Sequence, residues 1–268
     1  MTAAAALVVF LNHFFVVLDH DTYAAIDANA FLTREFAPFE RRTTVRNDRS
    51  YTGIYFYGDH TYFELFDASA SGSFKKGTDG IAFTPEEPGA IRALHDKIDS
   101  DPPQMITRKV GETQVPWFWI VDPKGFPDDA AVDPWIMEYD GDFLAKWHPE
   151  HARGERGITR HAILRRYKAV LPDTPPVPHF VDVREITLAV DAATSERMTA
   201  FCRQLGYRID AKGVVHGPDV VLRLVPATAS KRGIVRVVLE VRDVPKRELR
   251  LVKSVLRFDG HGRAAWEF

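Results

Sequence analysis

The stretch LVVFLNHFFVVLD, residues 7–19, determines how the rest of the chain is interpreted. It is rich in Val, Phe and Leu without a helical period, which is typical of a buried β-strand. It runs into Asp19-His20-Asp21-Thr22, where Asp and Thr are good helix-capping residues. We therefore expect a buried strand that leads directly into a helix.

The next segment predicts one helix and three strands. Residues 23–36 place apolar side chains on a helical stripe, and Pro38 ends that pattern. Three strand-like runs follow, joined by short turns rich in Asn, Asp, Gly and Ser; they are residues 39–46, 51–57 and 61–66. The predicted order is strand, helix, strand, strand, strand.

The same order recurs after a polar connector at residues 68–78. A short strand is expected at 80–84 and a helix at 86–98, and three further strands are expected at 105–110, 115–121 and 135–139. Two copies of one unit can pair their open sheets and bury the apolar surface that neither copy buries alone. The concave space between them is then the natural place for a site.

The second half of the chain predicts a weaker version of this pattern. The Pro-rich residues 172–180 predict a stiff linker between domain 1–171, with its units at 7–67 and 78–145, and domain 181–268. The elements expected beyond the linker are strands at 183–191, 214–216, 220–225, 233–241, 255–259 and 264–268, a helix at 194–205 and a helical turn at 245–251. The predicted fold class is α+β with repeated βαβββ modules and curved mixed sheets.

Short patterns at matching positions carry a resemblance to a known family. His13 lies on the first strand of the first unit and Glu64 on its last. In the second unit Asp122-Pro123-Lys124-Gly125 precedes the last strand, which carries Glu138. The module order and these positions resemble the vicinal oxygen chelate superfamily, which includes glyoxalases, bleomycin-resistance proteins and extradiol dioxygenases. Its paired modules form a cleft that holds a divalent metal.

The resemblance implies a metal site formed by His13, Glu64 and Glu138, with either carboxylate able to act as a catalytic base. The ion would be Fe, Mn, Ni or Zn, with positions open for water or substrate. A buried carboxylate among aromatic side chains is costly unless it is paired or metal-bound, and Tyr62, Glu64 and Phe66 share one strand face. The competing interpretation is two solvent-facing carboxylates and a hydrogen-bonded core histidine.

One position departs from the family pattern, because Gly80 stands where members often have a second histidine ligand. His148 and His151 offer an alternative fourth ligand, although the segment also reads as an exposed polar loop. In the second half Glu185 and Arg223 take the places of His13 and Glu64, so no second metal site is expected there. Aromatic residues of the cleft strands are candidates for substrate binding, namely Tyr57, Tyr62, Trp119 and Trp135.

Composition limits the partners that are expected. A net charge of -2 gives no basic field for nucleic acid, and the basic run at 153–168 is typical of a solvated helix face. Cys202 alone cannot form an intramolecular disulfide, which favours a cytoplasmic protein. The apolar residues 3–10 are not preceded by Lys or Arg, so a signal peptide is not expected, and the run is too short for a membrane span.

Three functions remain open from the sequence. The first is a metal-dependent dioxygenase, isomerase or lyase acting on a small, oxygen-bearing metabolite, with aromatic compounds among the candidates. The second is a metal-free binding or resistance protein that uses the same cleft, which Gly80 favours. The third is a scaffold whose carboxylates are incidental. A small-molecule substrate is expected in the first two, and a homodimer is left open.

Overall fold

The chain forms two eight-stranded mixed sheets, one in each half. The computed structural model describes residues 7–70, 74, 77–146, 158–171, 175 and 177–268. Strands dominate these residues and the helices are few and short. The α+β fold class predicted from the sequence agrees with this architecture.

The N-terminal sheet has the strand order β2-β3-β4-β1-β5-β8-β7-β6. Its strands are β1 (Val9–Leu18), β2 (Phe39–Val45), β3 (Ser50–Tyr57), β4 (Tyr62–Asp67), β5 (Asp79–Pro85), β6 (Gln104–Val110), β7 (Thr113–Val121) and β8 (Val132–Tyr139). Strand β1 is parallel to β4, and β5 is parallel to β8, whereas β1 and β5 pair antiparallel at the centre. The two halves of this sheet therefore have the same internal order.

The C-terminal sheet repeats this arrangement with the order β10-β11-β12-β9-β13-β16-β15-β14. Its strands are β9 (Phe180–Val190), β10 (Arg208–Ile209), β11 (Val215–His216), β12 (Val221–Pro226), β13 (Gly233–Val241), β14 (Arg247–Leu251), β15 (Ser254–Phe258) and β16 (Arg263–Glu267). The predicted helical turn at 245–251 is wrong, because these residues lie in or beside β14. Arg247, Leu249 and Leu251 are more buried than Glu248 and Arg250, which is the alternation of a strand.

Five α-helices connect the strands within the described ranges. They are α1 (His20–Asp27), α2 (Ala90–His95), α3 (Gly141–Lys146), α4 (Arg160–Val170) and α5 (Ala192–Gln204). The single helix predicted over 23–36 is divided, since α1 ends before Asn29 and a π-helical turn covers Leu32–Phe36. Asn29 accepts a hydrogen bond from the Leu32 amide and so starts the second turn anew. No described helix is long and apolar enough to cross a membrane.

The two sheets pack against each other through one shared aromatic core. Phe63 of the N-terminal sheet lies 5.4 Å from Phe180 and 5.6 Å from Trp266 of the C-terminal sheet, measured between ring centroids. Phe36, in the π-helical turn, adds a stacked contact with Phe180. Because alternate residues of a strand point to opposite faces, the side chains that do not join this core lie on the outer face of each sheet. The two outer faces point in opposite directions.

Buried carboxylates join the two halves in both directions. Asp182 of β9 accepts hydrogen bonds from the amides of His60 at 2.8 Å and Thr61 at 2.9 Å. In return, Asp79 of β5 accepts from the amide of Ile234 at 2.6 Å. Each half therefore satisfies backbone donors that the other would leave buried and unpaired.

The β14–β15 hairpin contains a strained residue whose replacement is expected to stabilise the protein. Leu251 pairs with Ser254, so Val252 and Lys253 form a two-residue turn in which Val252 has a φ of 60°. A β-branched residue is unfavourable there, whereas glycine adopts this conformation readily. Val252→Gly is expected to raise the free energy of unfolding by about 0.5–1 kcal/mol in urea titrations. Val252→Ala keeps the Cβ atom and should recover little of this gain; a less stable glycine variant would contradict the assignment of strain.

Candidate functional site

Two of the predicted site residues, His13 and Glu64, face each other on the outer side of the N-terminal sheet. His13 lies on β1 and Glu64 on β4, and these strands run parallel with Phe15 opposite Glu64. The Nε2 atom of His13 is 3.7 Å from Oε1 of Glu64, and both residues are buried, with 6% and 7% of their surfaces exposed. Adjacent parallel strands thus bring together residues 51 positions apart in the sequence.

Neighbouring groups fix the protonation of this pair. Nδ1 of His13 donates to Oδ1 of Asn12 at 2.7 Å, which leaves the lone pair on Nε2 facing Glu64. Burial, with the nearby Arg42 charge, lowers the pKa of His13 to about 3, so the ring is neutral. Burial raises the pKa of Glu64 to about 7, against the opposing effect of the Arg42 and Arg46 charges. Near neutral pH Glu64 can therefore both accept and return a proton.

The pair lies in a cavity of about 440 Å³ with aromatic walls. Tyr62 stacks on the His13 ring at 4.4 Å, and Trp135 meets the same ring edge-on at 5.3 Å. Phe15 and Phe66 extend the wall away from the histidine. A cavity of this volume and lining suits a small, flat organic molecule.

Glu138, the third predicted ligand, is not part of this group. Its carboxylate accepts hydrogen bonds from the amides of Gly89 at 2.6 Å and Ile91 at 2.8 Å, at the start of α2. Trp135 and Met137 of the same strand line the cavity, so Glu138 points to the opposite face of the sheet. The predicted metal triad and the role of Glu138 as a catalytic base are therefore corrected: this residue caps a helix.

The position of the missing histidine on β5 is filled by aromatic rings. A Cβ atom at Gly80 would overlap the side chains of Phe15 and Trp135. Among the described residues no three His, Cys, Asp or Glu side chains form a group that could hold a metal ion. The expected divalent ion therefore does not fit the site as predicted, because of the three predicted ligands only His13 and Glu64 face the cavity. His148 and His151 lie outside the described residues.

The four predicted substrate-binding residues divide into two pairs. Tyr62 and Trp135 line the cavity. Tyr57 is placed elsewhere: its hydroxyl donates to Glu40 at 2.7 Å and its ring stacks on Tyr167 of α4. Trp119 packs against the shared core on the opposite face. Neither of these two lines the cavity.

Several cavity residues escaped the sequence analysis. Phe15 stands two positions from His13, and strand alternation alone would have found it, just as it placed Phe66 on the same strand face as Glu64. Asp122 and Asp133 lie at the cavity mouth, and Arg46 and Arg49 reach it from the β2–β3 turn. No short sequence pattern joins these four residues, since their approach depends on the order of the strands.

Comparison with known proteins places the chain in a family. The sequence profile described as a family of unknown function, DUF5829, matches residues 11–268. The chain belongs to the DUF5829 family. No curated protein matches it. A hypothetical protein from Staphylococcus aureus has a similar fold, with a TM-score of 0.54 and 10% sequence identity over 94% of this chain and 99% of that one.

In this DUF5829 chain, α4 covers one end of the cavity face. Ile163, Leu164 and Tyr167 of α4 pack on aromatic residues of the sheet, including Tyr57 and Tyr62. Two cations of the predicted basic stripe are buried rather than solvated, since Arg160 and Arg166 are only 6% and 3% exposed. The solvated-face interpretation of 153–168 is therefore wrong for these two residues, and residues 153 and 156 lie outside the described ranges.

The outer face of the C-terminal sheet has different chemistry at the equivalent positions. Glu185 of β9 and Arg223 of β12 occupy the places of His13 and Glu64, as the sequence predicts, and they form an ion pair at 2.9 Å. Arg236 also reaches Glu185 at 3.2 Å. The groove on this face, about 950 Å³ in volume, is lined by such ion pairs and lacks the aromatic walls of the N-terminal cavity.

Proposed function

We propose that the protein binds a small, flat organic molecule in the N-terminal cavity and removes a proton from it, as an isomerase or lyase does. The observation that supports this most directly is the His13–Glu64 pair, 3.7 Å apart on the floor of an aromatic cavity. A buried acid and a neutral imidazole that face one another in a ligand-sized space are typical of acid–base catalysis.

The geometry assigns a separate role to each side chain. An oxygen or nitrogen atom of the substrate can lie within hydrogen-bond distance of both His13 Nε2 and Glu64 Oε1, because the gap between them is too wide for a direct hydrogen bond. His13 accepts a hydrogen bond from a substrate O–H or N–H group and positions the substrate. Glu64 takes a proton from a neighbouring carbon, the electron pair of that C–H bond passes into the conjugated system of the substrate, and in an isomerisation Glu64 returns the proton. The hydrogen bond to Asn12 fixes the tautomer of the His13 imidazole, and stacking on Tyr62 fixes the orientation of that ring. Exclusion of water by the aromatic walls strengthens these interactions.

We further propose that the strand order represents paired βαβββ modules of the vicinal oxygen chelate kind. The parallel β1–β4 and β5–β8 pairs, joined antiparallel through β1 and β5, support this relationship. The relationship would also allow metal chemistry, but in this chain the second module contributes Gly80 and a helix-capping Glu138 instead of ligands. The proposed reaction therefore uses His13 and Glu64 alone.

A second candidate is a binding protein that holds the same kind of molecule without chemistry. Phe15 and Trp135 occupy the space beside Gly80, which favours this candidate because they extend the hydrophobic wall at the expense of a ligand position. The two candidates differ only in whether Glu64 exchanges a proton with the bound molecule.

Deuterium exchange separates these functions. Small aromatic ketones and hydroxyaromatic compounds are incubated with the protein in D₂O, after chelator treatment and elemental analysis, and exchange at carbon is followed by NMR. Glu64→Gln is expected to lower exchange at least 100-fold, since loss of a general base costs about that much. Glu138→Gln makes the same chemical change outside the cavity and should keep the exchange.

Each other outcome has a definite meaning. Binding without exchange would replace the enzyme by the binding protein. Exchange that survives Glu64→Gln would remove Glu64 as the base, and exchange that requires added metal would restore the metal-dependent function. If no compound binds, the proposed function is wrong.

A further inference from the structure

The charged groups of the N-terminal cavity are not balanced. Arg46 and Arg49 are its cations, and both bind the same carboxylate, Asp48, with Nε–Oδ distances of 2.7 Å and 3.1 Å. Asp122 and Asp133 line the mouth, and within the described residues neither has a Lys, Arg or His nitrogen within 4 Å of its carboxylate. Among the residues that the structure describes, Arg46 and Arg49 thus share their charges with Asp48 and only partly offset the charges of Asp122 and Asp133.

The floor of the cavity adds a third carboxylate. Glu64 is more than nine-tenths buried and lines the same space, and among the described side chains the only basic nitrogen within 4 Å of it is Nε2 of His13. That imidazole is neutral, so it provides no counter-charge. The charges of Arg42 and Arg46 lie farther away and offset only part of the cost of burying Glu64, so a positively charged ligand in the cavity would offset more of it.

Aromatic rings lie between the floor and the mouth. Phe15, Phe66 and Phe74 contact one another with centroid separations of 4.6–5.4 Å, and Tyr51 and Trp135 border them. The faces of aromatic rings attract cations, most strongly where water is excluded. Carboxylates beside such rings are a common way to recognise an organic ammonium group.

We propose that the cavity selects an organic cation, a substituted ammonium group attached to a flat ring, with Asp122 and Asp133 facing its charge. This inference rests on the proposed function, because it names the substrate class of the same cavity. The ring lies among Phe15, Phe66 and Trp135 and reaches toward the His13–Glu64 pair, while the ammonium group remains at the mouth. Asp122 and Asp133 thus determine which ligand binds, and the His13–Glu64 pair reacts with it.

Three probes of similar shape and different charge test this proposal: phenyltrimethylammonium, its neutral isostere tert-butylbenzene, and the anion phenylacetate. Binding to the full chain is measured by quenching of tryptophan fluorescence and by ligand-observed NMR. The cation is expected to bind at least 10-fold more tightly than the neutral isostere. The double variant Asp122→Asn/Asp133→Asn should abolish this preference and leave the affinity for tert-butylbenzene unchanged. Asp129→Asn, which removes an exposed carboxylate outside the cavity, should have no effect.

The failures of the two proposals can be told apart. If tert-butylbenzene or phenylacetate binds as tightly as the cation, or if the double variant keeps the preference, selection of a cation is wrong and binding in the cavity stands. If none of the three probes binds to folded protein, the proposed function fails together with this inference.

Discussion

Replacing Arg160 with methionine is expected to lower the free energy of unfolding by about 3–5 kcal/mol. Arg160 begins α4 and is buried, and its guanidinium binds Glu86 at 2.9 Å, the Leu11 carbonyl at 2.8 Å and Asp219. Methionine fills a similar volume but leaves two partly buried carboxylates, Glu86 and Asp219, without this counter-charge. Unfolding in urea, followed by circular dichroism, measures the loss.

Two further variants show whether the effect comes from unpaired charges. Arg165→Met makes the same substitution at an exposed position of α4 and should change stability by less than about 1 kcal/mol. Adding Asp219→Asn to Arg160→Met should recover part of the lost free energy of unfolding, because it removes one of the carboxylates that the first substitution leaves unpaired. Strict additivity of the two substitutions would mean that packing, and not charge, gives Arg160 its importance.

Glu64→Gln is expected to stabilise the protein in a strongly pH-dependent way. The pKa of Glu64 is about 7 in the folded protein and near its ordinary value of 4.5 in the unfolded chain. The fold therefore favours the protonated acid, and the stability that this form contributes is present below pH 4.5 and is lost as the pH rises through 7. Glutamine is neutral at every pH and avoids this loss.

The free energy of unfolding of Glu64→Gln, relative to that of the unaltered protein, should rise by about 2–3 kcal/mol between pH 5 and pH 8, since each unit of pKa corresponds to about 1.4 kcal/mol. Urea titrations of both proteins at pH 5, 6, 7 and 8 measure it. Glu138→Gln provides the contrast, because its carboxylate loses two amide hydrogen bonds and the variant should be less stable at all four values. A stability difference for Glu64→Gln that does not change with pH would show that Glu64 keeps an ordinary pKa.

The sequence predicted most strands of the fold because their signals are local. Runs of apolar and aromatic residues bounded by turn residues identified β1–β4 to within a few positions. The C-terminal register was predicted as well, since Glu185 and Arg223 do occupy the positions of His13 and Glu64. The errors fell on β14, which is too brief to show whether its period is that of a strand or a helix, and on the helix predicted over 23–36, which is divided near Asn29.

The site was predicted less well, and strand geometry explains why. His13 and Glu64 were singled out because they stand on the first and last strands of the first unit, where the family that the sequence resembles carries its ligands. Glu138 was grouped with Trp135 although they stand three positions apart in one strand and so must point to opposite sides. Asp122 and Asp133 depend on the approach of β8 and the β7–β8 loop to the mouth, which is a tertiary property without a local signal.

The back-to-back packing of the sheets also limits how the two outer faces can influence each other. A molecule in the N-terminal cavity and a partner on the ion-paired C-terminal groove would lie on opposite sides of the shared core and could not collide. The contacts that separate them include the aromatic residues Phe63, Phe180 and Trp266, the buried carboxylates Asp79 and Asp182, and the pair of Arg160 with Asp219. The shared core thus separates the two outer faces. The side chains on one face can therefore be substituted while the core and the other face keep their residues.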